Sequence, residues 1–394
     1  MIRPGRWLQD SMTRVTSSGQ FIPQIDGLRF AAILSVILFH MNGWLFPEGL
    51  WPKGSPIWSS VRFLTGKGYY GVELFFMISG FILVLPMAER HLRGDRSLRI
   101  KPYLTRRLTR LEPPYILNLL IFWLLCGYPL AATAGNLGAS LLYAHGLVFN
   151  ADSAINHVAW SLEVEVQFYL VAPFLAFVFA IPSVRLRRGV ILAAIAGLIW
   201  LDAHQQVLAP YISQFRYSTT LLGKGVFFLP GFLLADVYLS DWQSRPREGW
   251  LWDVLGLVGW CAIPAALEIR GPWSWLVLAA QWMAFVGVFR GRFFSWLFSR
   301  ILLTIIGGMC YTLYLYHPRT ICLTGVLLNR FLPETAANFL PRLLLMLVMS
   351  AVFTLLVCST LFLLIERPCM RKDWPARLAN WCRARLTAPD SGDK

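Results

Sequence analysis

The sequence predicts an all-α protein, a polytopic bundle of about ten transmembrane helices. Of its 394 residues, 56% are hydrophobic and 14% are charged, against about 25% charged residues in soluble domains. The mean hydropathy is +0.54. Apolar segments of membrane-spanning length recur along the whole chain. A soluble fold could not cover this much apolar surface, so these observations exclude the soluble classes.

The apolar segments place the ten predicted helices with short loops between them. The segment 136–150 is mildly apolar and short, and we expect an interfacial or re-entrant piece there. We predict a cytoplasmic head at 1–25, one membrane domain at 26–365 and a basic cytoplasmic tail at 366–394. The head lacks the apolar stretch of a cleavable signal peptide. The predicted spans are 26–46, 70–87, 112–130, 160–181, 189–207, 219–240, 251–269, 273–289, 301–328 and 341–365.

The distribution of lysine and arginine predicts the orientation of the bundle. The head, the even-numbered loops and the tail carry 26 of the 36 basic residues, whereas seven lie in or at the edge of the odd-numbered loops. Cytoplasmic loops are enriched in basic residues. We therefore expect both termini in the cytoplasm, as in a multi-pass protein of the plasma (bacterial inner) membrane.

The net charge of +15 is then mostly a charge of the cytoplasmic face. It suits membrane lipids with anionic head groups and a phosphorylated ligand, and we expect no nucleic-acid partner. The chain has seven cysteines, an odd number, and no two of them form a C-x-x-C motif. This pattern predicts neither a disulfide framework nor a zinc site, and we expect no metal.

The first predicted span contains two ionisable residues, Arg29 and His40. Their spacing of eleven residues brings them within about 20° of the same helix face and about 16 Å apart along the axis. Ionisable groups in lipid are costly and are usually functional. These two residues alone leave three interpretations open. Arg29 could extend to the inner lipid head groups while His40 only packs, the two could line a transporter path, or they could form a catalytic pair.

The second span and the loop after it add a serine and an arginine cluster. Ser79 lies mid-span beside Gly80, where small residues favour close helix packing, and we assign it to packing or positioning. Arg106, Arg107 and Arg110 directly precede the third span. The cluster is either a topology signal or a phosphate clamp, because guanidinium groups bind phosphate bidentately. Arg106 and Arg110 are spaced to share a helix face.

The fourth span begins with a row of polar residues at helical spacing. Ser161, Glu165 and Tyr169 share one face, whereas Glu163 points about 200° away from Glu165 and is expected to be a solvated residue of the outer rim. We expect His145 and His157 in the outer loop to be surface groups.

Two later residues complete the candidate set. His317 lies inside the ninth span and is followed by Pro318, which should open the backbone there. We expect His317 to support the pocket. Glu366, at the end of the last span, is expected to pair with nearby arginines.

Six segments follow one another in order along the chain. They are IDGLRF with the later LFH, GVELFFMISGF, TRRLTRLEPPY, WSLEVEVQFYL, IGGMCYTLYLYHP and IERP. Taken together, they resemble the acyltransferase 3 family of integral-membrane acyltransferases, which commonly O-acetylate surface glycans. The resemblance covers residues 21 to 368, and Phe30, Glu73 and Cys310 depart from the usual family pattern. The short tail predicts that no soluble esterase-like domain follows.

The resemblance implies an enzyme that uses cytosolic acyl-CoA, most simply acetyl-CoA, as co-substrate and holds no bound cofactor. The acceptor would be a hydroxyl of a surface glycan or glycolipid at the outer side. His40 would act as general base or form an acyl-histidine, which the sequence leaves open. Glu165 would orient His40. Arg29 would bind the donor or anchor Asp26, one helical turn away.

A second class of function, a transporter or flippase of a glycolipid or small anion, remains the alternative. Inverted repeats with paired broken helices would favour it, and the sequence contains no internal repeat.

Overall fold

The computed structural model describes residues 12–14, 21–95, 100–125, 127, 129–269, 275–371, 373–377, 380 and 383. Within these ranges every regular element is a helix, so the predicted all-α class is confirmed. Most of the predicted head and tail, including Cys382, and also Cys126, lie outside the described residues.

Seventeen α-helices of the described ranges are numbered here in chain order. A π-helical turn over Phe362–Glu366 joins the last two. The helices are α1 Pro23–Leu45, α2 Pro56–Gly66, α3 Tyr70–Leu92, α4 Ile100–Leu125, α5 Leu130–Leu141, α6 His145–Phe149, α7 Trp160–Leu175, α8 Val184–Ala203, α9 Gln214–Ser218, α10 Leu221–Ser240, α11 Trp250–Ala266, α12 Trp275–Arg290, α13 Arg292–Phe298, α14 Ile301–Gly308, α15 Cys310–Phe331, α16 Phe339–Leu361 and α17 Arg367–Cys369.

Each of the ten predicted spans coincides with a helix, and the ninth coincides with two. Among the described residues, five helices are long and apolar enough to cross a membrane, or up to seven if each of two bent pairs forms one span. A multi-pass membrane protein is therefore confirmed. The count of ten, the cytoplasmic termini and the domain boundaries stay predictions. The segment 136–150 contains the end of α5 and the short helix α6.

Helix α3 lies at the centre of the bundle, where it packs against α1, α7 and α10. Glycines bring α3 and α10 into backbone contact. A Cβ on Gly80 would lie 2.1 Å from the carbonyl oxygen of Phe228, and one on Gly231 would lie 2.4 Å from that of Met77. Small residues allow this close approach in membrane bundles, and it holds Ser79 at a fixed depth.

The Gly80→Val substitution is expected to lower the thermal stability of the purified protein. The added side chain must push α3 away from α10, and overpacking typically costs about 1–3 kcal/mol. Thermal unfolding in detergent measures the effect. The matched control is Gly189→Val on α8, where a Cβ meets no atom within 4 Å. Equal melting temperatures for both variants would contradict this account of the packing.

The predicted ninth span is broken rather than continuous. Helices α14 and α15 meet at Met309 with a bend of 75°. A Cβ on Gly307 would lie 1.7 Å from the carbonyl oxygen of Asp26, so α14 touches the backbone of α1. Glu366 accepts hydrogen bonds from the backbone N–H of Thr312 at 3.1 Å and from its hydroxyl at 2.5 Å. These bonds satisfy a free amide in the first turn of α15.

This capping corrects the prediction for Glu366, which forms no direct ion pair with arginine within the described residues. Its carboxylate is 1% exposed and holds the start of α15 instead. The bend turns the first residues of α15 toward the space between α1, α3, α4 and α7.

Candidate active site

An open cavity lies between α1, α3, α4, α7 and α15. Its empty volume is about 850 Å³ including its mouth. Apolar side chains of α3 form much of the wall, and charged groups project from α1, α4 and α7. A largely apolar cleft with a few polar groups is the usual form of a small-molecule site. The polar side chains that line it are Arg29, Ser79, Arg107, Arg110, Ser161, Glu165, Tyr169, Cys310, Tyr311 and Tyr314.

Three arginines gather at the end of the cavity where α1 begins. Arg29 donates a hydrogen bond to the carboxylate of Asp26, which is 2% exposed. Arg107 and Arg110 reach the cavity from α4. The buried Nε of Arg107 has no hydrogen-bond partner in the part of the chain that the structure describes. Arg29 thus both anchors Asp26 and lines the cavity, so the two roles considered for it are compatible.

The structure corrects the predicted face of the arginine cluster. Arg106 is exposed and does not line the cavity, whereas Arg107 and Arg110, three residues apart, do. The i, i+4 spacing of Arg106 and Arg110 suggested a shared face, but tertiary packing of α4 against α7 and α15 selects the i, i+3 pair.

Glu165 lies in the middle of the cavity and accepts a hydrogen bond from the hydroxyl of Ser79 at 2.6 Å. Ser161, Glu165 and Tyr169 all line the cavity, as their spacing predicts. The expected pairing of Glu165 with His40 is not formed: within the described residues, the carboxylate bonds to α3 rather than to α1. A different side chain lies within hydrogen-bond distance of the His40 ring.

That side chain is His317, which is fully buried. Its Nδ1 lies 2.8 Å from the carbonyl oxygen of Tyr314 and 3.1 Å from that of Leu313. Its Nε2 lies 3.2 Å from Nδ1 of His40. The Nδ1 of His40 also lies 2.9 Å from the carbonyl oxygen of Val36.

These contacts assign the protons of both rings. Carbonyl oxygens only accept, so Nδ1 of His317 carries a proton and Nε2 of the neutral ring is an acceptor. Nδ1 of His40 then faces two acceptors and must donate. The remaining nitrogen of neutral His40, Nε2, is unprotonated and has no hydrogen-bond partner within the described residues. This is the nitrogen that can take a proton or attack a carbonyl carbon.

The histidine pair lies just beyond the cavity rather than in its wall. Tyr314 lines the cavity, and its ring centroid is 5.8 Å from that of His317. The hydroxyl of Tyr314 shares a 2.6 Å hydrogen bond with Ser161. Tyr314 and Ser161 therefore form the boundary between the cavity and His40.

Sequence reasoning missed Tyr314 at this boundary, and it named His157 and Glu163 without placing them near the site. Tyr314 lies one turn before His317, a spacing that could have revealed it. His157 is exposed as predicted, but its ring centroid lies 5.5 Å from that of His40. Glu163 is 2% exposed, which contradicts the predicted solvated position. It accepts the backbone N–H groups of His145 and Gly146 at 3.1 and 2.9 Å.

His145 is also buried, and the prediction of a surface group was wrong. Its ring nitrogens lie 3.0 Å from the carbonyl oxygen of Ala151 and 2.8 Å from the side-chain oxygen of Asn136. Glu163 and His145 together fix α6 against the start of α7, and this contact sets the position of Ser161.

The chain that forms this membrane bundle, with its arginine-lined cavity and histidine pair, matches a known protein family. The family model described as an acyltransferase domain, acyltransferase 3, matches residues 22–363. The chain belongs to the acyltransferase 3 family.

Curated relatives with longer chains match over parts of their length. The O-acetyltransferase OatA of Staphylococcus aureus is 24% identical over 335 residues, which are 76% of this chain and 50% of that protein. The peptidoglycan O-acetyltransferase OatA of Listeria monocytogenes is 29% identical over 184 residues, 43% of this chain and 26% of that protein. The putative peptidoglycan O-acetyltransferase YrhL of Bacillus subtilis is 30% identical over 206 residues, 48% of this chain and 28% of that protein.

The chain therefore spans half or less of the length of the curated relatives it matches. No solved structure matches it.

Proposed function

We propose that the protein transfers an acetyl group from cytosolic acetyl-CoA to a hydroxyl of a surface or lipid-linked glycan at the outer side of the membrane. The observation that carries the proposal is the placement of two groups on opposite sides of one boundary. Arginines line one end of the cavity. Beyond the boundary formed by Ser161 and Tyr314 lies Nε2 of His40, which has no hydrogen-bond partner within the described residues.

The donor would bind with its phosphates at the arginine end. Arg107 and Arg110 supply guanidinium groups that suit phosphate oxygens, and Arg29 adds positive charge. The pantetheine arm would follow the apolar wall of α3 and bring the thioester toward Ser161 and Tyr314. Arg29 and His40 are about 16 Å apart along α1, a span that an extended pantetheine arm can bridge.

The chemical step would use His40 as a general base. As the acceptor oxygen attacks the carbonyl carbon, Nε2 takes the proton of the hydroxyl. The new C–O bond forms and the C–S bond breaks. The CoA sulfur leaves as a thiolate and receives the proton from His40, which restores the neutral ring. An acetyl-His40 intermediate would use the same nitrogen and divide the reaction into two steps.

The relatives support a glycan acceptor. Two of the three are named as peptidoglycan O-acetyltransferases, and we propose a peptidoglycan-type glycan hydroxyl as the acceptor of this chain. Acetyl transfer to radiolabelled glycan fragments by the purified protein in detergent tests the proposal. Release of CoA with formation of an O-acetyl ester is expected. Uptake of glycan or anion into proteoliposomes without ester formation would instead support the transporter alternative.

The proposed orientation has ten membrane-spanning segments, with both termini and the arginine end of the cavity in the cytoplasm of a bacterial cell. Reporter fusions after residue 150 are expected to read as outside, and fusions within 89–111 and in the tail as inside. The excess of basic residues in those inside segments is the physical reason. An outside reading for the tail would place the arginines on the wrong side for a cytosolic donor.

A further inference from the structure

A short piece of the head, residues 12–14, is docked at the arginine end of the cavity. Met12 packs against the hydrophobic core. The carbonyl oxygen of Thr13 accepts a hydrogen bond from Arg367 at 3.4 Å. A Cβ on Gly308 would lie 3.5 Å from Cβ of Arg14. Arg14 therefore lies against the bend between α14 and α15, close to the cavity wall.

Arg14 is half-buried among charged groups of both signs. Burial, together with the neighbouring guanidinium groups of Arg29 and Arg110, lowers the pKa of Arg14 to about 9, although Asp26 acts in the opposite direction. The Nε of Arg14 is buried and has no hydrogen-bond partner among the described residues. An unpaired buried donor on a charged group is costly and calls for an acceptor.

Of the two carboxylates near Arg14, one already forms an ion pair and the other has one oxygen occupied by hydrogen bonds. Asp26 pairs with Arg29. Glu366 uses one oxygen to cap α15, and its other oxygen, Oε1, is buried without a hydrogen-bond partner within the described ranges. Glu366 is thus the alternative acceptor for Arg14 within the protein, and a test has to separate it from an anionic ligand.

We infer that Arg14 is a further phosphate-binding residue of the donor site, so that the head contributes directly to recognition of a CoA-type donor. The inference rests on the proposed function. Coenzyme A carries three phosphate groups, two in its diphosphate and one at the 3′ position, whereas Arg107 and Arg110 can each hold one phosphate bidentately. The guanidinium group of Arg14 lies at the same end of the cavity. It supplies additional N–H donors in the fork geometry that suits phosphate.

The test compares CoA binding to the full-length purified protein and to Arg14→Ala by calorimetry in phosphatidylcholine nanodiscs. The variant is expected to bind CoA roughly 10- to 100-fold more weakly, as for loss of a charge-assisted contact. Binding of pantetheine, which lacks phosphate, should not change. Arg14→Lys should recover part of the loss, because it keeps the charge without the fork. Arg185→Ala, an exposed arginine at the start of α8, is the matched control.

Several results would overturn the inference. Equal CoA affinity of the wild type and Arg14→Ala would do so directly. An equal loss of pantetheine affinity would mean general damage to the site. If Glu366→Gln lowers CoA affinity and melting temperature as much as Arg14→Ala, Arg14 acts by pairing with Glu366.

Two further measurements distinguish a lipid phosphate from a CoA phosphate, and a failure of this inference from a failure of the proposed function. An effect of Arg14→Ala on CoA affinity that appears only in nanodiscs containing phosphatidylglycerol would assign Arg14 to a lipid phosphate instead. If the wild type binds no CoA at all, the proposed function fails, and this role of Arg14 fails with it. Loss of CoA affinity in Arg107→Ala but not in Arg14→Ala would overturn the inference alone.

Discussion

His40→Ala is expected to abolish acetyl transfer, with a rate decrease of roughly 10²–10⁴-fold, while the protein still inserts and folds. Loss of a positioned general base typically has this effect. The imidazole of His40 is partly exposed, and its replacement leaves a small space beside His317 rather than a buried charge. Transfer rates of purified protein, measured with saturating acetyl-CoA, provide the readout.

The control for this variant is His204→Ala. His204 lies just after α8, where its ring stacks on Trp200 at a centroid distance of 4.7 Å, and it does not contact the cavity. Its loss should leave the transfer rate near the wild-type value. A well-folded His40→Ala protein with near-normal turnover would contradict the mechanism and leave the histidine pair with a packing role.

The Arg107→Ala and Arg110→Ala double substitution is expected to weaken CoA binding more than any other change at the arginine end of the cavity. Each lost contact with a charged group costs on the order of 1.5–3 kcal/mol, so the pair should lower affinity by roughly two or more orders of magnitude. High salt should reduce the difference, because it screens charge pairs that solvent reaches. Equilibrium CoA binding at two salt concentrations measures both effects.

Arg106→Ala tests which arginines of α4 bind the donor. In the structure Arg107 and Arg110 line the cavity, whereas the i, i+4 spacing suggests Arg106 and Arg110. The side chain of Arg106 is exposed and outside the cavity, so its loss should change CoA affinity far less than either single change at Arg107 or Arg110. Equal effects at all three positions would mean that the cluster acts only through its total charge, as a topology signal does.

Local periodicity is sufficient to predict part of the site. Arg29 and His40 lie on one continuous helix, and the four-residue spacing of Ser161, Glu165 and Tyr169 places all three on the cavity wall. The alternation of apolar and polar segments similarly predicts a helix at each of the ten positions. These features depend only on the geometry of a single helix.

The contacts between helices were not accessible to that reasoning. The bond from Ser79 to Glu165 joins residues 86 apart, and the contact of His317 with His40 joins residues 277 apart. Glu163 looked like a rim residue because no local signal shows that two backbone amides of α6 would be brought to its carboxylate. The break at Met309 lies close to the contact of Gly307 with α1, and a hydropathy profile reports neither feature.

The proposed mechanism requires that donor and acceptor reach His40 from opposite sides of the membrane. Sided acetyl transfer in proteoliposomes tests it most directly, with labelled acetyl-CoA outside, glycan fragments trapped inside and the protein oriented with its arginine end outward. The account predicts O-acetylated glycan in the lumen, with CoA released outside, and no product from His40→Ala. Acetylation only when both substrates are on the same side would contradict the account.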